Sequence, residues 1–136
     1  MMTELHTRTT LLVNLHFTLY WDCGQHGQQF APVAFAANVI TENPELFLHS
    51  LDLSCLDRIR TATRYTKYKF ETPINFEVER SFVWKGLEDS KLSIRALSAV
   101  ELENQLRLMK RRGYQDCVRV EMAVEIEGGT ELGNRG

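Results

Sequence analysis

The sequence predicts an α+β two-layer sandwich, in which an antiparallel or mixed sheet of four to five strands carries helices on one face. Four segments alternate apolar and polar residues with the period of two that is typical of a half-buried strand. Two other segments carry the signals of helix ends. Because each strand segment has only one apolar side, a single layer of helices is enough to cover the sheet.

The first strand is predicted in LLVNLHFTLYW, residues 11–21, where every odd-numbered position is apolar and polar side chains fill most even ones. The segment that follows, DCGQHGQQ, residues 22–29, has two glycines and little to bury. It is therefore predicted to be an exposed connection. Residues 30–40 have the alternation of a second strand, although their alanines also allow a short buried helix.

A helix is predicted to begin at Asn43-Pro44-Glu45 and to extend to about Tyr65. Asn accepts hydrogen bonds from free backbone amides, Pro fits the first helical position, and Glu suits the positive end of the helix dipole. The apolar residues change phase at residues 52–54, which predicts a break into two helices. If residues 30–40 belonged to this crossover rather than to the sheet, the order of elements would fit a ferredoxin-like topology.

The second half of the chain repeats the same two patterns. The segment ETPINFEVERSFVWKG, residues 71–86, is predicted to be a strand, with Arg80 as the one charge on its apolar side. A short strand is predicted near residues 92–96, and a last strand in CVRVEMAVEIE, residues 117–127. These segments complete the predicted sheet.

A second helix is predicted in LSAVELENQLRLMKRRG, residues 97–113. Ser98 and Glu101 have the spacing of a capping box, in which each side chain bonds to the backbone amide of the other residue. Gly113 supplies the left-handed stop. The basic residues of the last turn favour the negative end of the helix dipole.

Length and composition indicate one globular domain over residues 1–136, with residues 1–8 and 128–136 expected to be frayed. Hydrophobic residues make up 43% and charged residues 25%, which is typical of folded proteins. The sequence has neither a membrane-length apolar run nor a secretory signal, so we expect a cytoplasmic protein without membrane contact. The formal charge of −2 argues against a whole-molecule field that attracts nucleic acid.

The polar side of the first strand is a candidate ligand site on the sheet face. It consists of Asn14, His16, Thr18 and Tyr20. Such a row has hydrogen-bonding groups at regular spacing, and a neutral imidazole within it can also take part in proton transfer. The alternative is that this face of the sheet is simply open to water or to a partner.

The segment RIRTATRYTKYKF, residues 58–70, is a candidate nucleic-acid or phosphate site. Its cations are Arg58, Arg60, Arg64, Lys67 and Lys69, and aromatic residues lie between them. Cations neutralise phosphates and aromatic rings stack on bases. The alternative is the end of a helix, where cations complement the dipole and aromatic residues pack at the sheet edge.

The chain carries only fragments of metal or catalytic motifs. Cys23 and His26, with His49 and Cys55, supply the residue types of a zinc site, but the last two are six apart and would diverge on a helix. Cys117 is the only other cysteine, so reduced thiols are expected. The sequence therefore predicts no metal and no cofactor.

These observations favour a non-catalytic intracellular interaction protein that binds another macromolecule, assembles with copies of itself, or does both. Candidate interface aromatics near the strand ends are Trp21, Phe82 and Trp84. An accessory factor of a phage or another mobile element is one context that suits a short protein of this kind. The alternatives are nucleic-acid binding through residues 58–70 and a small enzyme with His16 as acid or base.

Overall fold

A computed structural model describes residues 8–21, 25–63 and 75–126. Within them the chain forms six strands and two helices, which confirms the predicted α+β class with one strand more than expected. The elements are β1 (Arg8–Trp21), β2 (His26–Gln29), β3 (Val33–Ile40), α1 (Pro44–Thr63), β4 (Asn75–Val83), β5 (Lys91–Ser93), α2 (Ala99–Arg111) and β6 (Cys117–Glu125). A 3-10 turn at Ile94–Ala96 connects β5 to α2.

The strands form one mixed, open sheet with the order β2-β1-β6-β4-β5, and β3 also pairs with β1. The β1 and β6 strands are parallel, and all other pairs are antiparallel. The additional strand arises because β2 and β3 are two parts of one interrupted strand. Thr18 pairs with Gln29 but Leu15 pairs with Val33, so residues 30–32 lie opposite only two residues of β1. The one residue in excess on this side forms a β-bulge between β2 and β3.

Two expectations about this region are corrected. The predicted connection at residues 22–29 includes β2, whose residues are all exposed. An edge strand is held by backbone hydrogen bonds and needs no apolar side chains, so its polar composition did not reveal it. Residues 30–40 contribute β3 to the sheet, so the condition for a ferredoxin-like topology is not met.

The core lies between the sheet and the two helices, which pack on the same face. Odd-numbered residues of β1 from Leu11 to Leu19 are at most 2% exposed. They share one hydrophobic cluster with residues of α1 and α2, among them Phe47, Ile59 and Met109. No helix in the described part of the chain combines the length and the apolar character needed to span a membrane.

The α1 helix is continuous, which corrects the predicted break at residues 52–54. Its buried row has the regular spacing of four: Phe47, Leu51, Cys55, Ile59 and Thr63. The apparent change of phase came from Asp52, a charged residue that also faces the sheet. Arg80 donates to its carboxylate from Nε at 2.9 Å and from Nη2 at 2.5 Å. The one charge on the apolar side of β4 is thus paired with the one acid that disturbs the apolar face of α1.

The α2 helix has the predicted ends. The Ser98 hydroxyl accepts from the Glu101 amide at 3.2 Å, and the Glu101 carboxylate accepts from the Ser98 amide at 2.8 Å. This confirms the capping box. Gly113, just after the helix, has a φ of +74°, a conformation that favours glycine.

A buried carboxylate fixes the connection from α2 to β6. Asp116 is 1% exposed and accepts hydrogen bonds from the Lys85 amide at 2.7 Å and from Arg112 at 2.8 and 2.9 Å. The Arg112 guanidinium also lies over the Trp84 ring, 5.8 Å from its centroid. Hydrogen bonds from Arg112 hold the pKa of Asp116 below its usual value of 3.8. This network ties the start of β6 to the end of β4.

Candidate functional site

The face of the sheet opposite the helices is not covered by any described element. We call it the open face and define it by the outward side chains of the three middle strands: Asn14, His16, Thr18 and Tyr20 on β1, Arg119, Glu121, Ala123 and Glu125 on β6, and Glu77, Glu79 and Ser81 on β4. On β1 and β6 these residues alternate with buried apolar ones, and on β4 they alternate with Phe76, Val78, Arg80 and Phe82, of which only Phe82 is fully buried. The predicted row on β1 therefore lies together on one surface, as its spacing indicated.

Strand pairing brings this row beside charged residues that are distant in sequence. His16 is the register partner of Glu121, which in turn faces Glu79 on β4. In the adjacent row, Asn14 is the partner of Arg119. Like charges directly opposite each other on a sheet are destabilising unless neighbouring groups compensate them. The two facing glutamates therefore require nearby cations.

Two arginines supply that compensation. Arg119 contacts the Glu121 carboxylate at 2.9 Å, and Arg95, from the turn after β5, contacts the Glu79 carboxylate at 3.0 Å. The side chains of Glu121 and Glu79 remain 49% and 58% exposed. Each of the two facing glutamates thus has an ion pair with an arginine. These ion pairs are solvent-accessible and contribute little to stability, which leaves them free to exchange partners.

The open face contains two neighbouring concavities. The larger, of about 490 Å³, has a floor at Ala123, whose small side chain lies between Thr18 and Glu77 in the register. The smaller, of about 360 Å³, extends toward β5 and includes Lys91 in its wall. Both concavities are lined by His16 and Arg119. These two residues thus form the boundary between them.

His16 is available to a ligand. It is half-buried, and no described residue forms a hydrogen bond with its imidazole. Burial and, next, the positive charge of Arg119 lower the pKa of His16 from 6.5, so the ring is neutral at neutral pH. A neutral imidazole has one donor and one acceptor nitrogen, and it can therefore bind either kind of polar group.

The cysteines do not form a reactive or metal-binding centre in the described residues. Burial raises the pKa of Cys55 to about 12, and burial also raises the pKa of Cys117. Both thiols are therefore protonated and poorly nucleophilic at neutral pH. Cys23 lies outside the described residues, His49 is exposed on α1 while Cys55 is buried, and no group of potential metal ligands occurs in the part that is described.

The structure describes only part of the basic segment at residues 58–70. Arg58 and Arg60 lie in the last turns of α1, whereas Arg64, Lys67 and Lys69 fall outside the described residues. Arg60 forms an ion pair with Asp57 at 2.8 Å. Arg58 lies over the Phe35 ring, 5.7 Å from its centroid. Both described cations therefore have partners within their own domain.

The three candidate interface aromatics have different environments. Phe82 is fully buried and stacks with Phe47 and Trp84, at centroid distances of 6.2 and 5.4 Å. It is thus a core residue that no partner can reach in this fold, because its position in β4 points toward the helices. Trp84 is half-buried beneath Arg112. Trp21 is half-buried and stacks with His26, with ring centroids 5.8 Å apart.

Sequence reasoning did not identify the cations of the site, namely Arg119 on the open face and Lys91 and Arg95 beside it. The alternation of residues 117–127 placed Arg119 on the polar side of its strand, so a local signal was present. The parallel pairing of β6 with β1 was the missing information. Strand order is set by packing of the whole chain, and no local pattern encodes it.

Comparisons of this chain with protein-family models, with curated proteins and with solved structures found no match. A function is therefore inferred from the chemistry of the residues on the open face. That chemistry combines a neutral histidine, exchangeable ion pairs and two adjoining concavities.

Proposed function

We propose that this protein is a non-catalytic intracellular interaction protein that binds another protein through the open face. The single observation that carries the proposal is that two concavities on this face adjoin at His16 and Arg119. A sheet face of this shape can accept side chains of a partner on both sides of that boundary. The two described cysteines are free thiols, which suits a reducing compartment.

The charge distribution favours a protein partner over nucleic acid. Glu77, Glu79 and Glu121 lie among the cations of the site, and acidic groups repel phosphates. A protein surface of mixed charge can exchange ion pairs with Arg119 and Glu121, since both are solvent-accessible. Electrostatic complementarity of this kind selects the partner more than it adds affinity.

The histidine supports binding more than catalysis. A general base needs the substrate and a group that orients its ring, and no described residue bonds to the His16 imidazole. The carboxylate nearest in the register, that of Glu121, is instead paired with Arg119. His16 is thus suited to accept or donate one hydrogen bond to a partner.

The experiment is affinity capture of binding partners with immobilised protein. It compares wild type with two charge-reversal variants, one on the open face and one on α2. Arg119→Glu changes the boundary of the two concavities. Arg107→Glu makes the same charge change on α2, on the other side of the molecule, where Arg107 pairs with Glu103 at 3.4 Å. Nuclease treatment before elution separates protein partners from those held by nucleic acid.

We expect a nuclease-resistant protein that wild type and Arg107→Glu retain and that Arg119→Glu loses. A partner retained equally by both variants would contradict the proposal. Retention that disappears on nuclease treatment would instead favour nucleic-acid binding. Circular dichroism of each variant establishes that a loss of retention does not reflect unfolding.

A further inference from the structure

The outer edge of β3 differs from the other edge of the sheet. On the far side the edge strand β5 has only three residues, whereas β3 has eight and pairs only with β1 among the described elements. At one end of β3, α1 occupies the outward backbone groups. The Ile40 amide donates to the Ser50 hydroxyl at 3.0 Å, and the Asn38 carbonyl accepts from Ser54 at 3.4 Å. The end of the edge is therefore protected.

The middle of β3 lacks this protection. Backbone groups alternate sides along a strand, so those of Ala36 and Ala34 point outward in the same direction as those of Asn38 and Ile40. Both alanines are exposed, and no described residue bonds to these outward groups. Proteins usually blunt such an edge with charges, bulges or proline, and here Pro32 and the bulge protect only the other end. A stretch of strand able to pair remains between the two protected ends.

The surface beside this edge is complementary to itself. A groove of about 240 Å³ separates β3 from one side of α1, where Ser54, Asp57, Arg58 and Thr61 line it. This side of the helix carries one acid and one base, and Asp57 remains 80% exposed in its ion pair with Arg60, so it can exchange that partner for a cation of another molecule. The apolar side chains of Val33 and Phe35 are only half-buried at the same edge. A partner whose surface carries only one sign of charge complements either Asp57 or Arg58, whereas a second copy of this chain complements both.

We infer that two copies of this chain pair through β3, antiparallel and about a two-fold axis, which joins their sheets. In this arrangement the outward amides and carbonyls of Ala34 and Ala36 bond across the axis, and the α1 helices pack side by side. Asp57 of each copy then lies near Arg58 of the other, and Phe35 becomes buried. The contact uses backbone groups at the sheet edge and leaves the outward side chains of β1, β6 and β4 uncovered. It approaches the open face only at Val33 and Ala34, which also line the smaller concavity.

The test is sedimentation velocity of the full chain over a range of concentrations, with backbone and charge variants. Ala36→Pro removes the outward amide, which β1 does not use, and Ala36→Ser is its matched control. Asp57→Arg places a positive charge opposite Arg58 of the other copy. The double variant Asp57→Arg/Arg58→Asp again has opposite charges across the axis. Circular dichroism and thermal unfolding verify that each variant keeps the monomer fold.

We expect wild type and Ala36→Ser to reach twice the 15.7 kDa mass of the chain. Ala36→Pro and Asp57→Arg should each weaken association by at least about tenfold, and the double charge variant should regain it. A wild type that stays at the mass of one chain up to about 0.2 mM would overturn the inference. So would a folded Ala36→Pro or Asp57→Arg variant that associates as wild type does.

Discussion

The two faces of the sheet both carry charged pairs, but the pairs differ in their surroundings. On the covered face, Asp116 and Asp52 are held by arginines and are largely removed from water. On the open face, Glu121 and Glu79 also contact arginines, at 2.9 and 3.0 Å, but remain about half exposed. The same residue types therefore serve different purposes. Buried pairs hold elements together, whereas exposed pairs can be exchanged for contacts with a partner.

The largest effect on stability is expected from Phe82→Ala on the covered face. The variant loses the stacking with Phe47 and Trp84 and leaves a cavity in the core. We expect the free energy of unfolding to fall by about 3 to 5 kcal/mol, measured by urea denaturation. A loss within about 1 kcal/mol would show that this side chain does not occupy the core as described.

The next largest effect is expected from Asp116→Asn. An amide cannot accept from Lys85 and Arg112 as a carboxylate does, and it leaves a guanidinium without its partner. We expect a loss of about 2 to 3 kcal/mol at neutral pH. A variant as stable as wild type at neutral pH would contradict the role of this network.

Wild type and Asp116→Asn should also differ in how their free energies of unfolding depend on pH. The folded-state pKa of Asp116 is lowered from 3.8, so its contribution is complete above that pH and is lost as the pH falls through the folded value. The difference in unfolding free energy between wild type and Asp116→Asn should therefore shrink on acidification below about pH 4. A difference that grows in acid would have the wrong sign.

A much smaller effect on stability is expected from Arg119→Ala on the open face. Its ion pair with Glu121 is solvent-accessible, so we expect a change within about 1 kcal/mol in the same urea experiment. Comparison with Asp116→Asn then shows how much less an exposed ion pair contributes to the free energy of unfolding than a buried one. A loss as large as that of the buried variant would mean that the open face is a structural surface.

The smallest effect is a change in the titration of His16. Its pKa is lowered from 6.5, so folding disfavours the protonated ring, and a small part of the stability is lost as the pH falls below 6.5. Arg119→Ala removes a lowering charge and leaves Glu121, which raises the pKa, so the midpoint should increase. Proton NMR of the imidazole measures it. An unchanged midpoint would show that Arg119 does not act on His16.

Local patterns predicted the elements with one buried face well. The alternation in residues 11–21 identified the polar row of β1, and Ser98, Glu101 and Gly113 identified the ends of α2. These signals depend on backbone geometry and on the side of each element that faces the core, and both are encoded within a few residues. The candidate row on the sheet face followed directly from them.

The features that the sequence did not predict depend on residues that are distant along the chain. Asp52 suggested a break in α1 because its partner, Arg80, lies in another element. The β2 strand has no apolar side chain to mark it and is held by its pairing with β1. The cations of the site meet His16 only through the order of the strands. In each case the interaction that decides the structure is absent from the local sequence.

Binding through the open face is tested most directly by mapping the backbone amide chemical shifts of the isotope-labelled protein as the captured partner is added. We expect the largest changes on the open face, around Asn14, His16, Arg119 and Glu121. Changes at Ala36, a residue of the β3 edge that lines neither concavity, should follow self-association and vary with protein concentration alone. Partner-induced changes confined to α1 and α2, with the open face unaffected, would contradict binding through the open face.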